Sequence, residues 1–292
     1  MRPFEYHAPT SLDEAISLLR EHGESARPLA GGTDLVVQMK ENATKFPTPS
    51  HIVSLLRIPE IGGIEFSEGE GLRIGAGATM AEVAESPIIR ELYTAIAEGA
   101  ALVGSLQTMN MATVGGNLCN AAPSADIAPP LLAFAAEAVI VSASGRRSLR
   151  LEEFFLGPGK TALAPCELLA EVRAPAPLAG TGSAYARHTP RKQMDIAVVG
   201  VAALLTLAGG RIERARVALG AVAPTPVRAR RADGLLEGQA ASAELFRRAA
   251  EAAAAECSPI SDVRGSVEFR RHIVQVTTER MLREAAGRAG SR

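Results

Sequence analysis

Apolar residues at Leu12, Ala15, Ile16, Leu18 and Leu19 recur with the spacing of one helix face. Ser11 and Glu14 stand where a capping box opens such a helix, and Gly23 where it ends. The next stretch, "RPLAGGTDLVVQMK", predicts a short strand through Leu29, a Gly-Gly turn and a helix starting near Thr33. "HIVSL" at 51–55 predicts a buried strand, completing an α/β unit of about 55 residues. A second unit follows. "LRIGAGAT" predicts a strand ending in a turn, Thr79 and Glu82 a second capping box, and Ser86-Pro87 the start of one long helix, "PIIRELYTAIAEGAALVG". A helix around "IAPPLLAFAAE", a hairpin turning at Ser144-Gly145 and a strand "LLAEVRAP" complete it.

The pattern changes at 175–183, "PAPLAGTGS", the best candidate for a linker. Beyond it, "IAVVGVAALLTLAGGRIERARVALGAVA" predicts two long strands joined at Gly209-Gly210. Helices "AELFRRAAEAAAAE" and "EFRRHIVQVTTERMLREAA" follow, so this part is expected to be α+β, an antiparallel sheet with helices. The expected domains are 1–176, with subdomains of about 1–55 and 56–176, and 183–287. No internal repeat is evident.

Composition narrows the function. Hydrophobic residues are 47% of the 292, enough for real cores. A formal net charge of -1 gives no reason to expect nucleic acid or an anionic membrane. No apolar run approaches the roughly 20 residues that span a bilayer. The first residues show no signal peptide, so a cytoplasmic protein is expected, or one carried elsewhere by a partner. Cys119, Cys166 and Cys257 are far apart, and neither CxxC nor HExxH occurs, so neither a metal site nor a disulfide framework is expected. His7, His22, His51, His188 and His272 are scattered, and each reads as a surface or core residue before it reads as a base. No GxSxG surrounds any serine, and no catalytic residue is assigned.

Three Gly-rich turns concentrate the candidate chemistry: "AGGTD" (30–34), "GAGAT" (75–79) and "TVGGN" (113–117). Glycine admits positive φ and lets a backbone approach a ligand closely, and exposed amides favour phosphate. Any single turn has a structural explanation, because tight turns need glycine. "AGGT" and "TVGGN" together favour a ligand. "GAGATM" puts Met80 where GxGxxG needs its third glycine, and no glycine loop ends in Gly-Lys-Ser/Thr, which disfavours a Rossmann site and a P-loop. The stretch "TVGGNLCNAAPSADIAPP" is the richest. Thr113 and Asn117 offer polar contacts, and Asp126 either accepts hydrogen bonds from sugar hydroxyls or caps the helix at "IAPPLL". Cys119 reads as a small buried thiol.

"PLAGGTDLVVQMK" with "TVGGNLCNAAPSADIAPPLLAFAAEAVI" resembles the FAD-binding medium subunit of molybdenum hydroxylases, the xanthine dehydrogenase and carbon monoxide dehydrogenase family. The resemblance extends through "FEYHAPTSLDEAISLL", "LEEFFLGPGKTAL" and "YARHTPRKQMDIAVVGVA", nearly the whole chain. It implies an α+β chain: a two-subdomain FAD-binding fold of the vanillyl-alcohol oxidase and p-cresol methylhydroxylase type, plus a C-terminal domain that covers the flavin. By motif, Ala30, Gly31, Gly32, Thr33 and Asp34 would surround the FAD pyrophosphate. Thr113, Gly115, Gly116 and Asn117 would supply the second phosphate and ribityl contact, and Asp126 would bind ribose or ribityl hydroxyls. Leu169 would pack on flavin or adenine, and Lys192 or a neighbour in "TPRKQMD" would approach the isoalloxazine.

Two departures sharpen the expectation. Position 34 is Asp where many relatives have Ser; a carboxylate beside pyrophosphate is repelled, so Asp34 is expected to point away or to bond backbone amides. The Cys-rich insert that carries a [4Fe-4S] cluster in the 4-hydroxybenzoyl-CoA reductase branch has no counterpart. The implied role is electron relay. Non-covalent FAD here would take electrons from [2Fe-2S] clusters of a small subunit, and a large molybdopterin subunit would oxidise the substrate. NAD, a quinone or oxygen would accept the electrons, and the assembly would be a dimer of heterotrimers. The rivals are a stand-alone FAD-dependent oxidase of the same superfamily and a non-catalytic scaffold subunit.

Overall fold

The computed structural model of the chain describes residues 2–41, 48–191 and 194–291. The first unit is β1 (Glu5–His7), α1 (Leu12–His22), β2 (Ala26–Leu29), α2 (Leu35–Glu41) and β3 (His51–Ser54). Its three strands are parallel in the order β1-β3-β2. The buried face of α1 carries Leu12, Ala15, Ile16 and Leu19, as the apolar spacing predicts. Ser11 caps it, its hydroxyl accepting from the Glu14 amide at 3.2 Å. The return half of the box lands one residue earlier: the Thr10 amide donates to Glu14 Oε2 at 2.8 Å. Gly23, at φ +52°, ends the helix.

The second unit contains β4 (Ile64–Ser67), β5 (Gly71–Gly75), α3 (Met80–Glu85), α4 (Pro87–Leu92), α5 (Thr94–Ala101), α6 (Leu106–Met109), α7 (Val114–Asn120) and α8 (Ala128–Ala133). It continues with β6 (Glu137–Ser142), β7 (Gly145–Arg150), α9 (Leu151–Phe154), β8 (Phe155–Gly157), β9 (Lys160–Thr161) and β10 (Leu168–Ala174). The sheet is antiparallel, ordered β4-β5-β10-β6-β7; β8 and β9 form a separate ribbon. Both the Thr79–Glu82 capping box and the Ser86 cap form.

Three local expectations change here. The single helix expected from Pro87 breaks at Tyr93. That residue is fully buried against Phe134, and its hydroxyl donates to the Pro175 carbonyl at 3.0 Å, so a tertiary anchor overrides helical continuity. The hairpin turns on 143–144, with Gly145 (φ +122°) already opening β7. The Gly-rich turn expected at 113–117 is helical: its glycine pair lies in the first turn of α7.

The remaining elements are β11 (Thr181–His188), β12 (Val199–Ala208), β13 (Arg211–Gly220), β14 (Val227–Arg228), α10 (Arg230–Leu236), α11 (Ala243–Glu256) and α12 (Val267–Gly290). The strands make one antiparallel sheet in sequence order, and Gly209 (φ +56°) and Gly210 (φ +76°) turn β12 into β13. β11 occupies the end of the expected linker, so the connection is shorter than the composition suggests. Alternation along β12 explains the unbroken apolar run "VGVAALLTL". Val201, Ala203 and Leu205 join the core beneath α11 and α12, while Ala202 and Leu204 join the core of the first two units. A sheet covered on both faces needs apolar residues at every position. It docks through specific bonds: the Ala95 amide to Ser183 Oγ at 3.1 Å, the Tyr185 amide to Glu98 Oε2 at 2.7 Å and the Ala221 amide to the Pro123 carbonyl at 2.7 Å.

Candidate functional site

A cavity of about 490 Å³ opens where the three sheets meet. Its walls come from residues 27–35, from Ala76, from 112–126, from Leu168 and Leu169 on β10 and from Arg187 on β11. Of the expected site residues, Ala30, Gly31, Gly32, Thr33, Asp34, Thr113, Gly115, Gly116, Asn117, Asp126 and Leu169 all line it. Lys192 lies outside the described residues.

The two glycine pairs reach this wall by different local chemistry. Thr113 is the N-cap of α7, its hydroxyl accepting from the Gly116 amide at 3.0 Å. The backbone around it is laced to the "GAGAT" turn. The Met80 amide donates to the Ala112 carbonyl and the Val114 amide to the Ala78 carbonyl, both at 2.9 Å, and the Gly115 amide donates to the Ala76 carbonyl at 2.8 Å. The third Gly-rich turn is thus the bed on which α7 begins. A Cβ on Gly115 would lie 2.7 Å from Ala76 Cβ, whereas one on exposed Gly116 would meet only Thr113 Oγ1, at 3.0 Å. In the other pair, a Cβ on Gly31 would overlap the Met111 carbonyl oxygen, and Gly32 needs its φ of +72°. Gly31 therefore lets residues 30–34 pack directly on the segment that leads into α7.

The polar groups left over face the cavity. The backbone amides of Gly31, Gly32 and Thr33 have no hydrogen-bond partner among the described residues. Asn117 Oδ1 is buried and also unpartnered. Unpaired, half-buried amides gathered around a positive-φ glycine make a concavity suited to an anion. Asp34 lies at the rim. Its side chain is exposed and bonds no backbone amide, yet partial loss of hydration raises its carboxyl above the usual range. Cys119 is half-buried in the wall, and burial pushes its thiol up to about 12, so it stays protonated.

Asp126 does not cap α8: Ile127 occupies the cap position and makes no side-chain cap bond. Its carboxylate is 6% exposed. The Tyr185 hydroxyl donates to Oδ1 at 2.8 Å, and Arg187 Nη1 donates to Oδ2. Burial pushes its pKa up to about 6, against the pull of Arg187 and the Tyr185 hydrogen bond. Arg187 Nε is buried at the cavity wall without a partner among the described residues. Arg187 is the main site residue that sequence reasoning passes over. It lies five positions before Lys192 on a strand that was not expected, although the i, i+2 spacing of Tyr185 and Arg187 already places both on one face.

Residues 2–177 match the family model described as the FAD binding domain in molybdopterin dehydrogenase. Residues 184–285 match the CO dehydrogenase flavoprotein C-terminal domain. The carbon monoxide dehydrogenase medium chain of Hydrogenophaga pseudoflava is 37% identical, with 98% of each chain covered. The putative xanthine dehydrogenase FAD-binding subunit of Escherichia coli (strain K12) is 34% identical over 98% of this chain and 97% of that one. Among solved structures, carbon monoxide dehydrogenase from Hydrogenophaga pseudoflava superposes with a TM-score of 0.92 at 36% identity, covering 98% of each chain. Quinoline 2-oxidoreductase from Pseudomonas putida 86 superposes with a TM-score of 0.90 at 32% identity, covering 99% of this chain and 98% of that one.

Proposed function

The chain belongs to the FAD-binding medium subunits of the xanthine and carbon monoxide dehydrogenase family, and on that premise we propose how its residues serve that role. It is the electron-transfer subunit of a molybdenum hydroxylase complex. FAD, when bound, supplies the redox chemistry that joins iron–sulfur electron donors to an external acceptor. The chain supplies position and field. The unpaired amides of Gly31, Gly32 and Thr33 would hold the pyrophosphate, and Gly116 would let the second phosphate and ribityl part of FAD approach the backbone closely. Thr113 fixes the start of α7, and Asn117 Oδ1 accepts from a ribityl hydroxyl. Leu169 presents an apolar surface to a ring. Asp126 retains lone pairs beyond those used by Tyr185 and Arg187, and one of these accepts from a sugar hydroxyl. Asp34 stays at the rim, partly dehydrated.

The observation that carries this reading is the convergence of both glycine pairs on one cavity that keeps unpaired amides. The FAD is non-covalent: among the described residues no histidine, lysine or tyrosine lines the wall, and Cys119 is held as the thiol. Acid precipitation of the purified complex should leave all flavin in the supernatant as FAD; flavin retained on the precipitated chain overturns this. The partners are a large molybdopterin subunit and a small [2Fe-2S] subunit, in a cytoplasmic dimer of heterotrimers. Native mass spectrometry of the complex from the soluble fraction tests that stoichiometry. A flavin-loaded chain that turns over substrate alone would establish the free-standing oxidase instead.

A further inference from the structure

His7, His22 and His51 are far apart in sequence and meet in the fold. They come from β1, the last residue of α1 and the first of β3. The parallel register sets Glu5 opposite His51 and His7 opposite Val53, so Glu5, His7 and His51 share one face of the small sheet. α1 ends over that face. The His22 and His51 rings stack with centroids 3.8 Å apart, and His7 lies 5.1 and 5.4 Å from them. His7 Nε2 and His51 Nδ1 are 3.1 Å apart. One nitrogen from each of the three imidazoles falls within 4.8 Å of the others, and all three residues are half-buried. None lines the FAD cavity, which takes Arg27, Pro28 and Leu29 from β2 and Leu55 just past β3.

Three imidazoles are the ligand set of a tetrahedral site that keeps one position for water. At Zn–N distances of about 2.0–2.1 Å, neighbouring nitrogens stand about 3.4 Å apart, inside the span that these three already occupy. Among the described residues, the one acid paired with the cluster is Glu5, with Oε2 3.6 Å from His51 Nδ1 and its side chain 74% exposed. An ion here is therefore held by neutral nitrogen, which suits zinc and its borderline neighbours over calcium or magnesium. Parallel rings aim their lone pairs side by side, so one must turn for all three to converge. His22 is the last residue of α1, next to Gly23. We propose that His7, His22 and His51 bind a borderline divalent transition-metal ion, which ties β1, α1 and β3 together outside the FAD cavity. The sequence offers no hint, because residues 7, 22 and 51 match no metal spacing.

The test uses the full chain without an affinity tag, titrated with Co²⁺ at neutral pH and then with Zn²⁺. Expected are intense visible bands of tetrahedral cobalt, saturation at one ion per chain, bleaching by zinc and a zinc-dependent rise in melting temperature. His22→Gln and His51→Gln should each weaken binding at least about tenfold and abolish the thermal shift, while His188→Gln and His272→Gln leave both unchanged. The metal-free melting temperature of each variant establishes that it folds. Weak, octahedral-type cobalt spectra, no saturation, or equal affinity in wild type and in folded His22→Gln and His51→Gln would overturn the proposal.

Discussion

Gly31 and Gly115, the leading members of the two pairs, are closed in by other backbone; Gly32 and Gly116, the trailing members, are not. The pair at 31–32 sits in an irregular turn with unpaired amides, whereas the pair at 115–116 is the first turn of a capped helix. Each pair is then followed by an aspartate: exposed Asp34 in one case, buried Asp126 in the other. One dipeptide therefore carries two separable jobs. The leading glycine lets chain pack on chain, and the trailing glycine lets ligand approach chain. Substitutions can pull these apart.

The largest effect is expected at Gly31. A side chain there must displace the Met111 carbonyl, and overpacking against backbone costs about 3 kcal/mol or more. Gly31→Val should lower the denaturation midpoint of the apoprotein and lose FAD together. Unchanged stability with lost FAD would place Gly31 among the ligand-facing glycines and collapse the distinction.

The two aspartates give the next contrast. Asp126 is raised from 3.8 to about 6, so the folded chain binds its proton more tightly than the unfolded chain between those values. This group's contribution favours the folded state fully below about pH 4 and is lost as pH rises through about 6, at no more than about 1.4 kcal/mol per pH unit. Asp126→Asn should remove that component of the stability slope between pH 4 and 6. An identical slope in the variant would mean that the carboxylate does not titrate in that window. Asp34 is also raised, by partial loss of hydration, so Asp34→Asn should change the slope in the same direction and by less.

These pairings mark how far the sequence could be read. The glycine positions were legible because positive φ and backbone contact each demand a missing Cβ, and the caps at Ser11, Thr79 and Ser86 because capping is local. The break at Tyr93 was not, since it depends on Pro175 and Phe134 far along the chain. Nor was the Asp126–Arg187 pair, whose partners lie on opposite sides of the connection at 175–180. β11 was hidden by its small and polar residues, which read as linker until β12 pairs with them.

A smaller effect is expected at Thr113. Its hydroxyl caps α7, and loss of such a cap costs about 1 kcal/mol. Thr113→Ser should restore most of what Thr113→Ala loses, since Ser offers the same acceptor. Equal loss in both would point to the threonine methyl in its buried setting as the stabilising part.

Gly116→Ala should change stability least and is the sharpest test of the contrast. Alanine is favoured over glycine in a helix, and the new Cβ meets only Thr113 Oγ1 at 3.0 Å, so the two terms oppose. The apoprotein should stay within about 0.5 kcal/mol of wild type. The methyl group would stand on the exposed side of α7, where backbone must approach FAD. Flavin affinity should fall on the order of tenfold, about 1.4 kcal/mol, measured by titrating apoprotein with FAD and following flavin fluorescence. Affinity falling while the denaturation curve holds still assigns Gly116 to the ligand. A denaturation curve that moves as far as the affinity returns it to packing, alongside Gly115.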